Sequence, residues 1–486
     1  MYSSQSHHHP RALPFLFLTE MWERFGFYVV QGLLILYMTQ YFGFSDSASY
    51  TILGTFTALA YIAPIVGGFL ADRLLGFKQA IIWGGLFLVL GYALMSLSTK
   101  ASFYPALATI VVGNGLFKPN ISSLLGTQYT IDNPRRDAGF TIFYVGINIG
   151  ALLAGLSSGY IKDYFGWHVS FILASLGLII GLSTFTFGLK YINLPESLLP
   201  LQKYRHLHSP WLIGYAIIAI LLLSLLLGND VVADWLLPSL GVVLLVFLTL
   251  LTLRQQPQYR YPLFMLIILI LSSITFWMLF LQMFFSANLF IDRLVNKNLA
   301  GFHISTTVFY ALESVFIILL GPLFAWIWQY LSQHNKNPSP INKFALGIFC
   351  AGCGFLILGI STLFANDMGL VNPLWIAAAY LLITIGELLL SPIGLSAVTL
   401  LSPPHLIGMM MGIWFVATGF GGIFAGWLAK LASVPEAVTT LSIKLAIYQH
   451  AFLYYAYIAF AMAVILFFVQ LMLKKSVGTR VCQSIT

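Results

Sequence analysis

Fourteen apolar stretches occupy most of this chain: 14–41, 50–73, 79–98, 102–127, 138–160, 167–189, 210–228, 233–253, 262–291, 305–330, 341–365, 373–401, 406–432 and 447–473. A helix of about 20 residues crosses the roughly 30 Å hydrocarbon core of a bilayer, and these stretches cluster around that length. The chain is 59% hydrophobic and 8% charged, too apolar to clothe 486 residues in a water-facing surface. In lipid every backbone N–H and C=O must be paired within the protein, which a helix does inside one segment. The sequence therefore predicts an all-α membrane protein.

The charges report its orientation. With the N-terminus inside, fifteen Lys and Arg fall in inner loops, and only Lys100, Lys162, Arg293, Lys297, Lys430 and Lys444 fall outside. That asymmetry places both termini in the cytoplasm. It also explains the isoelectric point near 9.2 as topology, so no nucleic-acid partner is expected. No small-residue cleavage site follows the first apolar segment, so no cleaved signal peptide is expected. His7, His8 and His9 read as a tail rather than a metal site, and no cofactor is expected apart from protons as coupling ion. Cys350 and Cys353 lie in a Gly- and Ala-rich stretch and point to close helix packing rather than redox chemistry.

The stretches divide six, two, six. Residues 1–189 form a first six-helix bundle. Residues 190–260 hold a linker, KYINLPESLLPLQKYRHLHSP, and an inserted pair of helices with no ionisable residue in their cores. Residues 261–486 form a second bundle. Two bundles with an inserted, lipid-facing hairpin suit a transporter.

Six ionisable residues lie deep inside apolar stretches: Glu20, Glu23, Arg24, Lys118, Glu313 and Glu387. Each costs roughly 2.5–3.5 kcal/mol at the centre of a helix on insertion scales, so together they mark a wet or mutually neutralised interior. Glu20, Glu23 and Arg24 stand at i, i+3 and i+4 and share one helix face. Lys118 precedes Pro119 and Glu387 lies upstream of Pro392, where breaks in the helices are expected to free backbone carbonyls at membrane depth. Asn148 adds a neutral hydrogen-bonding group among small residues.

Between the second and third stretches, Gly67-Gly68-Phe69-Leu70-Ala71-Asp72-Arg73-Leu74-Leu75-Gly76-Phe77-Lys78 resembles the loop motif of the major facilitator superfamily. It implies that fold, fourteen transmembrane helices here, with Gly68, Asp72 and Arg73 in a gating latch. Three further motifs resemble the proton-dependent oligopeptide transporter family. They are Glu20-x-x-Glu23-Arg24-Phe25-x-Phe27-Tyr28, Phe143-Tyr144-x-x-Ile147-Asn148-x-Gly150, and Gly386-Glu387-Leu388-Leu389-Leu390-Ser391-Pro392. The resemblance implies a rocker of two bundles that imports di- and tripeptides with protons across a bacterial inner membrane, working as a monomer. Glu20, Glu23 and Arg24 would couple to protons. Lys118 would exchange with them and help hold a peptide carboxylate, while Asn148 and Glu387 would hold the ammonium. Tyr28, Tyr61, Trp277 and Trp414 would line side-chain pockets.

The chain also departs from that family's pattern. Gln31 stands where an arginine usually clamps the carboxylate, and Glu313 where an asparagine is usual. Leu281-Gln282 lacks the acid found in many members, and Gln282 is counted here among the substrate contacts. Taken as ionised, the six buried groups carry four negative and two positive charges, an acidic interior that attracts cations and protons. Glu313 would then be either a replacement proton site or a contact for cationic substrates. A same-fold carrier of an amine, peptide-like siderophore or antibiotic is the alternative. An enzyme is not expected, because His168, His303, His405 and His450 lie near the ends of apolar stretches without a catalytic or metal-binding partner.

Overall fold

The computed structural model describes residues 9–130, 133, 135–193, 208–229, 231–299 and 301–483. Among them are fifteen α-helices: α1 (Leu13–Leu36), α2 (Asp46–Leu70), α3 (Gly76–Ser96), α4 (Lys100–Thr127), α5 (Arg136–Phe165), α6 (Trp167–Gly188), α7 (His208–Leu227), α8 (Leu237–Arg254), α9 (Pro257–Phe280), α10 (Ser286–Leu294), α11 (Thr307–Gln333), α12 (Pro340–Ser361), α13 (Pro373–Leu401), α14 (Ile407–Ala429) and α15 (Leu441–Gln483). A two-residue antiparallel pair, Asn298–Leu299 with Phe302–His303, is the strand structure found among them.

Ten segments among the described residues are long and apolar enough to cross a membrane. One, Asp46–Ser96, contains both α2 and α3, which are joined by a wide π-helical turn at Ala71–Leu75. Helix α1 carries Glu20, Glu23 and Arg24, and α4 is diluted by glycine, proline and polar residues. The chain is thus an integral membrane protein.

Several helix starts follow directly from the sequence. The Ser339 side chain accepts from Asn342 N and Asn372 from Leu374 N, and each is followed by a proline at the first helical position, where no N–H is needed. The breaks expected near Pro119 and Pro392 do not occur: α4 and α13 run through both prolines. In apolar surroundings an opened backbone finds no water, so losing one helical bond is cheaper than unwinding. The ninth apolar stretch does break, although no proline marks it. Helix α9 ends at Phe280, and after a turn at Leu281–Met283 α10 begins at Ser286.

The chain forms two compact units. The first comprises Met1–Leu33 and Leu59–Gly228, the second Leu34–Ala58 and Asn229–Thr486. In the first, α3 packs along α4 and α6, and α7 against α4. In the second, α12 packs along α13 and α15, and α8 packs on α9 and α14. The inserted pair is thereby divided, α7 clustering with the first unit and α8 with the second, because each follows the helices it touches. Both expose apolar side chains, among them Ile218, Leu222, Val243 and Phe247. Most of the linker before α7, and residues 1–8 with His7 and His8, lie outside the described residues.

Candidate functional site

In the first unit the charges of α1 are sealed: Glu20 is 1% exposed, Glu23 0% and Arg24 3%. The Arg24 guanidinium grips Glu23 through both Nε and Nη2, the latter at 2.5 Å from Glu23 Oε1, and Nε lies 3.6 Å from Glu20 Oε1. Its Nη2 also donates to Asn114 Oδ1 at 3.1 Å, and its Cζ lies 4.8 Å from the Phe27 ring centre.

Asn114 was not singled out from the sequence, yet it orients the arginine. Its own Nδ2 donates to Ala60 O at 2.7 Å. Ala60 is four residues before Pro64, so its carbonyl is the one that Pro64 deprives of a helical N–H. A proline in α2 thus creates the acceptor that fixes an asparagine on α4, which in turn fixes Arg24. An Asn between two glycines in an apolar stretch, together with a proline in the neighbouring stretch, was the available sign.

Close helix approach permits this geometry. A Cβ at Gly67 would collide with the Gly115 carbonyl, so α2 and α4 touch backbone to backbone right beside Asn114. At Gly150 a Cβ would lie 3.0 Å from Phe25 N and 3.1 Å from Arg24 Cβ, which brings α5 directly onto the charged turn of α1. Lys118 Nζ sits 4.8 Å from the Tyr61 ring centre, a cation–π contact, with no ion pair within 4 Å among the described residues. Glu20, Glu23 and Arg24 remain within its electrostatic reach.

The neutral candidates of this unit divide. Asn148 is buried, but its Nδ2 bonds back to Tyr144 O at 3.0 Å on its own helix. Gln31 is 3% exposed, with its Oε1 unbonded. Tyr28 lies one turn beyond Arg24 and is half-buried. Asp72 and Arg73 are exposed in the turn after α2 and form no ion pair among the described residues, so the expected latch is not closed. The close approach in that motif falls at Gly67; Gly68 makes only ordinary contact with Pro119 at 3.8 Å.

The second unit holds Glu313 on α11 and Glu387 on α13, 7% and 8% exposed, on helices that pack together, close enough for the carboxyl groups to act on each other. Ser314 Oγ donates to Glu313 Oε2 at 3.2 Å, and Glu387 Oε2 has no partner. Neither carboxyl forms a salt bridge within 4 Å among the described residues. Two acids can share a hydrogen bond only if one carries a proton.

Trp277 borders this pair through its neighbour: Phe276 on α9 packs against Gly386, next to Glu387. The Trp277 indole N–H is buried and unbonded. Trp414 lies elsewhere. Its ring rests on Gly394, about 10 Å further along α13 at 1.5 Å per residue, and meets Phe344 edge-on at 6.1 Å.

Gln282 requires a correction. It is fully buried and its amide is committed: Nε2 donates to Ala425 O at 2.9 Å, and Oε1 accepts from Ser286 Oγ at 2.6 Å. Tyr455 OH closes the cluster, donating to Leu428 O at 3.1 Å. These bonds satisfy the polar groups where α9 stops, so Gln282 holds the break instead of facing a substrate.

Nothing in the sequence pointed to a half-buried ion pair in the same unit. Arg293 on α10 donates from Nη1 and Nη2 to the two oxygens of Asp46 on α2, each at 2.7 Å, and Val434 N donates to Asp46 as well at 3.0 Å. Both residues are ordinary helix-end charges when read locally.

Comparison with known proteins places this architecture. The profile of the POT family matches residues 78–445. The chain is 36% identical to a dipeptide and tripeptide permease A of Yersinia pestis, over 94% of this chain and 91% of that one. It is 35% identical to the permease of the same name from Proteus mirabilis, over 96% and 95%. Among solved structures it resembles a peptide transporter POT in complex with sulfate, with a TM-score of 0.82, 31% identity and coverage of 96% and 95%. It also resembles tetrameric PepTSo2, with a TM-score of 0.84, 29% identity and coverage of 96% and 99%. The chain therefore belongs to the POT family, a family of membrane transporters and not of enzymes.

Proposed function

We propose that this protein is a proton-coupled symporter that imports di- and tripeptides by alternating access. In this reading α1, α4 and α7 span the membrane together with the ten recognised segments, and α2 and α3 count separately. That gives fourteen spans, the two bundles 1–189 and 261–486 with their insert, the major facilitator arrangement, and cytoplasmic termini. Peptide transport rests on the relatives, permeases of dipeptides and tripeptides that align along nearly the whole chain. Bacterial relatives support an inner-membrane location, and we take the monomer as the working unit.

The observation that carries proton coupling is the Glu313–Glu387 pair. Two buried carboxyls act on each other and neither is salt-bridged among the described residues, so a proton or a substrate ammonium is the counter-charge at hand. We assign ammonium recognition to Glu387 and proton release and uptake to Glu313, with Asn148 as a further ammonium contact. In the first unit, Glu20, Glu23, Arg24 and Lys118 form the second coupling element, with Lys118 also grasping carboxylate. Tyr28, Tyr61, Trp277 and Trp414 shape side-chain pockets. With Gln31 unable to clamp an anion as an arginine would, the acidic pair biases the protein towards cationic peptides.

The test is uptake into proteoliposomes of a neutral, a cationic and an acidic dipeptide, with and without an inward proton gradient. Gradient-driven accumulation with the cationic peptide favoured is the expected result. No uptake of any of the three by folded protein overturns the peptide assignment and leaves amines or other metabolites.

A further inference from the structure

A cavity of about 190 Å³ lies in the second unit where α8 meets α9 and α14. Its walls are wholly apolar, formed by residues such as Leu245, Leu248, Ile270, Ile274, Ala417 and Phe424. The α8 wall runs from Pro238 to Leu248 and the α14 wall from Ile413 to Phe424. At 1.5 Å per residue each wall is about 15 Å long, half of the roughly 30 Å hydrocarbon core and so the depth of one leaflet. The groove is continuous with exposed apolar side chains of α8, including Val242, Val246 and Leu250, so the surrounding medium is lipid.

One end of the groove is polar. Phe424, in its wall, packs edge-on against Trp427 at 5.4 Å between ring centres. Trp427 Nε1 donates to Asp234 Oδ1 at 2.9 Å, and Lys430 Nζ donates to the same oxygen at 3.2 Å. Lys430 keeps ammonium donors beyond that bond, and Trp427 and Trp235 are partly or largely exposed beside it. An indole and a lysine at one end of a leaflet-deep apolar groove match the headgroup level of a bilayer.

We propose that this groove is a binding site for one diacyl phospholipid, one acyl chain lying between α8, α9 and α14 and the phosphate accepting from Lys430. The lipid would complete the packing of the inserted α8 helix, which otherwise leaves a void against the unit it joins. A leaflet-deep apolar groove suits an acyl chain and excludes a peptide, and the lysine beyond its end favours a headgroup that carries a phosphate.

The test is native mass spectrometry of the purified protein, stripped of lipid and titrated with phosphatidylethanolamine. One tightly retained lipid is expected. Leu245→Trp, which fills the groove, abolishes that first binding step, and Lys430→Gln weakens it about fivefold, the effect of one interfacial charge. Leu222→Trp, an equally large change on the exposed face of α7, leaves it intact and controls for misfolding. Equal lipid retention by the Leu245→Trp and Leu222→Trp proteins would overturn the site, as would retention in Lys430→Gln undiminished for both phosphatidylethanolamine and phosphatidylglycerol.

Discussion

The two units solve the problem of charge in lipid in opposite ways. In the first, two carboxylates, Glu20 and Glu23, are matched by two cations, Arg24 and Lys118, and the arginine is anchored by Asn114. In the second, Glu313 and Glu387 act on one another, and neither is in a salt bridge among the described residues. The formal surplus of two negative charges among the six groups read from the sequence therefore lies wholly in the second unit. Acidity here is local, and what it attracts must go to that pair. A compensated network keeps its charges buried through its own partners, whereas an uncompensated pair depends on a proton or a bound cation to stay buried.

The largest expected effect comes from uncoupling the compensated network. Arg24→Gln leaves Glu23 fully buried without its bidentate partner and should cost about 3–5 kcal/mol. Thermal unfolding in detergent reads that loss, and proteoliposome uptake should fall to background. A loss below about 1 kcal/mol would mean that Lys118 substitutes for the arginine, and the two units would differ less than described.

Next comes the acid pair. A pH gradient of one unit drives about tenfold accumulation through one coupled proton, because 1.4 kcal/mol is a factor of ten. Glu313→Gln should abolish that accumulation while leaving exchange of labelled for unlabelled peptide; undiminished accumulation would remove Glu313 from the coupling. In a stability cycle, Glu313→Gln and Glu387→Gln should be non-additive by about 1–3 kcal/mol, as for groups in contact. Additive losses would show that the carboxyls do not sense each other.

Asn114→Ala should cost about 1–2 kcal/mol by leaving Ala60 O and one Arg24 donor unpaired, and should weaken uptake less than Arg24→Gln. Smallest is Asn148→Ala, about 0.6 kcal/mol if the side chain serves only its own helix. A loss of cationic-peptide affinity without loss of stability would instead assign Asn148 to the substrate.

Much of this was legible along the chain. Helix positions followed the apolar stretches closely, with α13 at 373–401 as read, because the requirement to pair every backbone group in lipid acts locally. The depth of Glu20, Glu23 and Arg24 and their shared face followed from helical spacing alone. The errors came where a local rule met tertiary context. Proline predicted breaks at Pro119 and Pro392, where the helices instead run on. The break that does occur, after Phe280, is held by Gln282, Ser286 and Tyr455, the last 169 residues away from Ser286.

Residue type and spacing thus settled that this chain lives in lipid, where its helices run and that Glu20, Glu23, Arg24, Glu313 and Glu387 lie inside. Which of those charges are neutralised was settled by the fold. Asn114 reaches Arg24 across 90 residues and Asp46 reaches Arg293 across 247, distances at which sequence carries no register between helices. Burial can be read from the solvent a segment demands; a partner depends on which helix backbones approach closely enough to place a side chain within 3 Å, and that is a property of packing.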